Sequence, residues 1–256
     1  MISYCIASYR PTYSTLLVQD LIRKTTAPFE ILIWLNTDDE QYEKFLEVQR
    51  SQGAPVRIVG KTRENIGMQA YPLLFAEAQY DLIAQIDDDV VAVSRNIAEY
   101  ASEVFLKFPD VKQLVADVWQ DDYTTGARPP MSSYRPVAPE LFDGPIDGWF
   151  SVFHRSVVPL AQSWYGDIYF PLGALLRNRL RDSGRLGLLC TKFKVFHVVG
   201  PQYVSYFGML DFEIEKYRRL GRHEIVSWYE GARDNLPPPD ELSSRVKNIL
   251  ANLENA

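Results

Sequence analysis

Leu82-Ile83-Ala84-Gln85-Ile86-Asp87-Asp88-Asp89-Val90-Val91 is the stretch from which the rest of the chain can be read. An almost wholly apolar run of strand length ends abruptly in three consecutive acids, the pattern of a strand buried on both faces. In extended backbone successive side chains point to opposite faces, so Asp87 and Asp89 are expected on one side and Asp88 on the other. Two carboxylates that close raise each other's pKa unless a cation or several donors neutralise them. A divalent metal does this directly, and oxygen ligands without thiolates favour Mg²⁺ or Mn²⁺. The plainer alternative is an acidic turn that solvates the strand end and caps the helix beginning near Ser94.

On either side of this stretch, short apolar runs alternate with segments of helical spacing, which predicts an α/β fold with a mostly parallel sheet. Strands are expected at 2–7, 29–35, 56–59, 81–87 and 114–118. Helices are expected between them: one carrying Leu17, Leu21 and Ile22, and one with Tyr42, Phe45 and Leu46 on a face, capped within 36–39 and stopped at Gly53. A third covers 65–79, with Pro72 near its start or at a kink, and a fourth carries Ile97, Tyr100, Ala101, Val104 and Phe108, with Ser94 as its cap. Beyond residue 118 periodicity fades into turn-forming sequence through 145, expected as loop. A strand at 149–153, a helix at 172–181, a strand at 193–197 and two or three C-terminal helices complete the reading, with Pro237-Pro238-Pro239 setting off the last.

The 256 residues carry 46% hydrophobic and 23% charged side chains, a globular composition with material for a sizeable core. Thirty-three acids against 27 Lys and Arg give a net charge of −6, which argues against a nucleic-acid partner because neutralising phosphates needs a basic excess. Cys5 and Cys190 are too few for a disulfide framework and are expected as free thiols in a reducing, cytoplasmic setting. No apolar run reaches the length of a membrane span, and the strand-like start gives no sign of a signal peptide.

Other carboxylate chemistries lack their contexts. A haloacid-dehalogenase-type nucleophile needs Asp-x-Asp-Gly-Thr, where this chain has Val90-Val91. Phosphate-loop and dinucleotide fingerprints are absent, and residues 6–12 lack the glycine-rich opening of sugar-nucleotide pyrophosphorylases. What is present, in order, is Ile6-Ala7-Ser8-Tyr9-Arg10-Pro11 after the first strand, Asn36 after the second, Arg63-Glu64-Asn65-Ile66-Gly67 before a helix, and the Asp-x-Asp element at 87–89. These motifs resemble the nucleotide-sugar glycosyltransferases of the GT-A fold, especially glycosyltransferase family 2, over roughly residues 1–200.

The resemblance implies one GT-A domain with a Rossmann-like sheet: a nucleotide-sugar-binding half at 1–118, an acceptor and catalytic half at 119–209, and a C-terminal helical extension at 210–256. It places Ser8 and Arg10 beside the nucleotide, Asn36 near the base, and Arg63, Asn65 and Gly67 around ribose and base edge. Asn36 stands where Asp is frequent, leaving uridine and guanosine both open. Asp87 or Asp88 would contact ribose or donor sugar, while Asp89, with Asp87, would bind the Mn²⁺ or Mg²⁺ that bridges the diphosphate. A lone His at a strand end is ordinarily a hydrogen-bonded structural residue, but the resemblance makes His197 a further metal ligand. Arg10, Lys61 and Arg63 are the nearest cations for phosphate charge.

Such enzymes transfer a sugar from a nucleoside diphosphate to a hydroxyl acceptor, and inverting members also need a carboxylate to take the acceptor proton. Asp167, ahead of the 172–181 helix, fills that role in the resemblance, with Asp147 as the alternative. Inverting members carry Glu-Asp where this chain has Gly173-Ala174, so inverting and retaining chemistry both stay open. Gly148 and Trp149 fall where the donor sugar is cradled, and Trp119, Asp121 and Asp122 follow the fifth strand toward the acceptor. Residues 200–209 read as a loop able to close over the donor. A sugar-nucleotide nucleotidyltransferase and a binding protein without turnover are the competing functions.

Overall fold

The computed structural model describes residues 1–124, 127–161 and 172–255. Asp167 lies outside them. The strands are β1 (Ile2–Ser8), β2 (Phe29–Leu35), β3 (Val56–Lys61), β4 (Leu82–Ile86), β5 (Val90–Val93), β6 (Val111–Val118), β7 (Arg135–Ala138), β8 (Leu141–Asp143), β9 (Phe150–His154) and β10 (Leu186–His197). The helices are α1 (Pro11–Lys24), α2 (Glu40–Ser51), α3 (Ala70–Glu77), α4 (Ile97–Lys107), α5 (Val158–Ala161), α6 (Leu172–Asp182), α7 (Pro201–Tyr206), α8 (Leu210–Arg219), α9 (His223–Ala232) and α10 (Pro239–Glu254).

One ten-stranded sheet runs β3-β2-β1-β4-β9-β6-β10-β8-β7, with β5 paired to β10. β1, β2, β3 and β4 are mutually parallel, as are β6 and β10, while β5, β8 and β9 run against the rest. Alternation along the strands divides the core into two layers. Ile2, Tyr4 and Ile6 of β1 face α1, α2 and α4 in one cluster, whereas Cys5 and Ala7 face α3 and α6 in the other. A third cluster joins Tyr13, β5 and the end of β10 to α7, α8, α9 and α10. The C-terminal helices are thus packed on the sheet; each buried Leu or Phe contributes about 1.5–3 kcal/mol. Both cysteines are free and buried, and among the described residues no helix is long and apolar enough to cross a membrane.

Several expectations need correction. Residues 65–79 form a short 3₁₀ turn, Gly67–Gln69, followed by α3, with Pro72 in its first turn, where a missing N–H costs nothing. Ser94 does not cap α4; its hydroxyl and amide bond Lys194 on β10, and Asn96, at φ 56°, precedes the helix. The stretch through 145 contains the antiparallel β7–β8 hairpin, which extends the sheet edge from β10. β10 begins at Leu186, well before residue 193, and its register breaks between Cys190 and Lys194. That bulge lets one strand pair with β8 early and β5 late. Residues 200–209 are no open loop: α7 buries Tyr203 and Val204 in the third cluster, and Phe207 packs edge-on to Tyr13.

Candidate functional site

The site is built where three strand ends meet, those of β4, β9 and β10. β4 stops at Ile86 and the acids enter a β-turn in which Val90 N–H donates to Asp87 O at 3.1 Å. The turn is pinned on both sides: Asp87 N–H donates to Trp149 O at 3.0 Å, and Val198 N–H donates to Asp89 O at 2.8 Å. The second bond exists because the register of β10 shifts again at Phe196/His197, setting His197 opposite Val90. Asp87, Asp89 and His197 each offer a ligand atom within 4.8 Å of the others. The expected convergence of Asp87 and Asp89 is therefore present, but a turn produces it; strand alternation does not.

Asp88 points elsewhere. Its Oδ2 accepts the amide N–H groups of Tyr9 and Arg10, both at 2.6 Å, and its Oδ1 accepts Arg10 Nε at 3.0 Å and Nη2 at 2.7 Å. A carboxylate has about four lone-pair positions, so this conformation leaves none for a ribose hydroxyl. Arg10 continues the network, with Nη1 2.6 Å from Asp89 Oδ2 and 3.1 Å from Glu213 Oε1. Glu213 also pairs with Lys216 one turn along α8.

Burial and mutual repulsion distort the acids. Burial first, then the charge of Asp89, pushes the Asp87 carboxyl up to about 7. Burial also pushes Asp89 up, but the Arg10 guanidinium and His197 outweigh it and hold that carboxyl well below the usual range. His197 is lowered by burial and raised by more through Asp89, whose Oδ1 lies 3.0 Å from Nε2. Its Nδ1 is buried with no hydrogen-bond partner among the described residues. Two converging carboxylates, one of them pushed up by burial and its neighbour's charge, beside an imidazole fit a dication, and hard oxygen donors with one imidazole suit Mn²⁺ or Mg²⁺.

These groups line a cavity of about 330 Å³. Arg10, Asn36, Asn65, Gly67, Asp87, Asp88, Asp89, Asp147, Trp149 and His197, all singled out by sequence, are brought together on its walls. Asn36 is held by its Oδ1, which accepts Ile66 N–H at 3.2 Å, and Asn65 Oδ1 accepts Gly67 N–H at 2.8 Å where Gly67 turns at φ +51°. Asp147 is raised by burial. Trp149 is 6% exposed and its Nε1 donates to Ala116 O at 2.7 Å, so most of the indole is core.

Other expected residues fall outside the lining. The Ser8 hydroxyl is fully buried, 2.7 Å from that of Ser14. Arg63 is 89% exposed beside Asp38, and Lys61 pairs with Asp38 and Glu43. Gly148 is small because a Cβ there would lie 2.5 Å from Gln85 Nε2. Asp121 binds Tyr203 Oη and the Tyr123 amide, tying down the loop after β6. The sequence reading missed Lys216 and Tyr217 of α8 and Leu220 just beyond it, which add to the lining. Their only sequence signal is a Glu213–Lys216 pair at i,i+3, which reads as an ordinary solvated helix face.

No protein-family profile and no curated protein sequence matches the chain. Solved structures do. S. aureus TarS 1–349 in complex with UDP-GlcNAc superposes over 89% of this chain and 71% of its own at a TM-score of 0.60 and 12% identity. The mannosyltransferase PcManGT from Pyrobaculum calidifontis, in complex with GDP-Man and Mn²⁺, matches over 93% of this chain and 66% of its own at 0.59 and 15%. GalNAc-T7 with UDP, GalNAc and Mn²⁺ matches over 78% and 43% at 0.53 and 15%. The chain has the GT-A fold. It spans 39% of another TarS chain that it matches, so the GT-A unit here corresponds to part of some of these larger proteins.

Proposed function

We propose that the chain is a metal-dependent glycosyltransferase that moves a sugar from a UDP- or GDP-linked donor to a hydroxyl acceptor in glycan or polysaccharide synthesis. The observation that carries this reading is the Asp87–Asp89–His197 cluster at the carboxyl end of β4, opening into the cavity. Ligands of open α/β sheets bind at such strand ends. The comparison proteins described with UDP-GlcNAc, GDP-Man and Mn²⁺ share this fold, which supports the same ligand class here.

Asp87, Asp89 and His197 would hold Mn²⁺ or Mg²⁺, which supplies positive charge against a departing diphosphate. Asn36, Asn65 and Gly67, at the ends of β2 and β3, would receive the nucleoside. Asp147 and Trp149 form the wall for the donor sugar. The acceptor proton goes to a carboxylate if the reaction inverts: Asp167, as the resemblance has it, or Asp147, a half-buried acid whose pKa is raised, the direction a general base needs.

Thermal-shift titration with UDP, GDP and their sugars, with and without Mn²⁺, tests the reading. Stabilisation by one nucleoside diphosphate that depends on Mn²⁺, followed by release of that diphosphate from its sugar in the presence of acceptor, is the expected result. No shift with either nucleotide overturns it.

A further inference from the structure

Helix α8 belongs to the C-terminal extension, yet it supplies part of the cavity wall. Lys216 lines the cavity with its side chain 11% exposed, and its Nζ sits 4.2 Å from the Tyr217 ring centroid. Its ion-pair partner Glu213 is 3% exposed and is shared with Arg10. Arg10 is occupied by Asp88, Asp89 and Glu213 together. Among the described residues Lys216 therefore has half a carboxylate for an ammonium with three N–H donors. Burial, and after it the nearby Arg10 charge, pulls its pKa down, the sign of a cation short of anionic company. A long side chain at such a position is ordinarily expected to reach for water; this one is held inside, in the same cavity as Asp87, Asp89 and His197.

We propose that Lys216 binds the diphosphate of the donor, with Glu213 and Arg10 as positioning residues that tie α8 to the acidic turn. The inference rests on the donor-binding reading above and adds a cation that the chain itself delivers. The series Asp89–Arg10–Glu213–Lys216 alternates in sign from the acidic turn to α8, so the ammonium is fixed by side chains already registered to the metal cluster. Glu213 takes one N–H of Lys216 and leaves the others for phosphate oxygens, which a point charge on a flexible stem accommodates well.

The test is calorimetric binding of UDP and of GDP in Mn²⁺ to the wild-type chain, Lys216→Met and Lys216→Arg, with Mn²⁺ titrated alone and ligand-free melting as controls. Lys216→Met is expected to weaken binding of the preferred nucleoside diphosphate about tenfold or more, the scale of one charge-assisted hydrogen bond, and Lys216→Arg to stay within about threefold of wild type. Mn²⁺ alone should bind Lys216→Met at least as well as wild type, since a neighbouring positive charge has gone. Wild-type affinity in Lys216→Met, or equal losses in the Met and Arg variants, overturns the role of Lys216 alone. A wild-type chain that binds neither nucleotide overturns the proposed function and this inference with it.

Discussion

Within the Asp87–Asp89 triplet, neighbouring acids hold opposite jobs because of what donates to them. Asp88 accepts four N–H bonds from Tyr9 and Arg10 and so fixes the loop after β1. Replacing it by Ala leaves two amides and a guanidinium short of an acceptor. We expect Asp88→Ala to lose about 2–3 kcal/mol of stability in urea unfolding, since Arg10 keeps Asp89 and Glu213. Asp89→Ala should instead abolish stabilisation by Mn²⁺, and a thermal shift equal to wild type would refute its assignment as a ligand. Asp87 adds a pH dependence. Its carboxyl titrates near 7 in the folded protein and near about 4 when unfolded, so the native state holds a proton that the unfolded chain has released between those values. Its contribution to stability therefore falls as pH rises through that window. Asp89, held low, contributes stability above its unfolded value that is lost only in stronger acid. Because a ligating carboxylate must be ionised and a ligating imidazole neutral, and both Asp87 and His197 are raised, Mn²⁺ affinity measured by calorimetry should drop about tenfold per unit or more as pH is lowered below 7. An affinity flat from pH 5.5 to 8 would contradict this.

At the scale of elements, the bulges in β10 and the packing of α6 place the side chains. Gly173 on α6 sits so close to the 147–148 backbone that a Cβ would lie 2.5 Å from Asp147 C. Gly173→Ala should therefore displace Asp147 and cost about 1–3 kcal/mol, read as a lower melting temperature together with reduced turnover. The alternating strands and the acids ending β4 were legible because burial imposes a period on sequence and an acid triplet breaks it. The bend of β10 was not: Gly187 and Lys192 interrupt the apolar run, and only pairing with β6, β8 and β5 makes one strand of it. The β7–β8 hairpin was hidden likewise, since Pro136 and exposed Val137 carry no alternation and the edge of an existing sheet organises them.

Across the whole molecule, the net charge of −6 conceals a cavity in which acids and cations interlock. Of the motifs read in order, Arg10, Asn36, Asn65, Asp87 to Asp89 and His197 lie together on the cavity while Ser8 and Arg63 do not, and the contribution of the C-terminal helices was illegible because amphipathic helices look alike whether they cover a core or a ligand. Here they do both: Ile214, Val226, Tyr229 and Ile249 complete the cluster that begins at Tyr13 and Val91. Removing residues 210–256 should thus expose that cluster and abolish cooperative unfolding; a truncated chain that melts like the whole would contradict this integration. The central claim is that the turn at 87–89 and His197 hold a dication under a nucleoside diphosphate. It is tested most directly by an anomalous difference map from crystals soaked with Mn²⁺ and UDP or GDP. The account predicts a manganese peak bonded to Asp87, Asp89 and His197 with the diphosphate against it; a peak elsewhere, or nucleotide bound away from that turn, would contradict it.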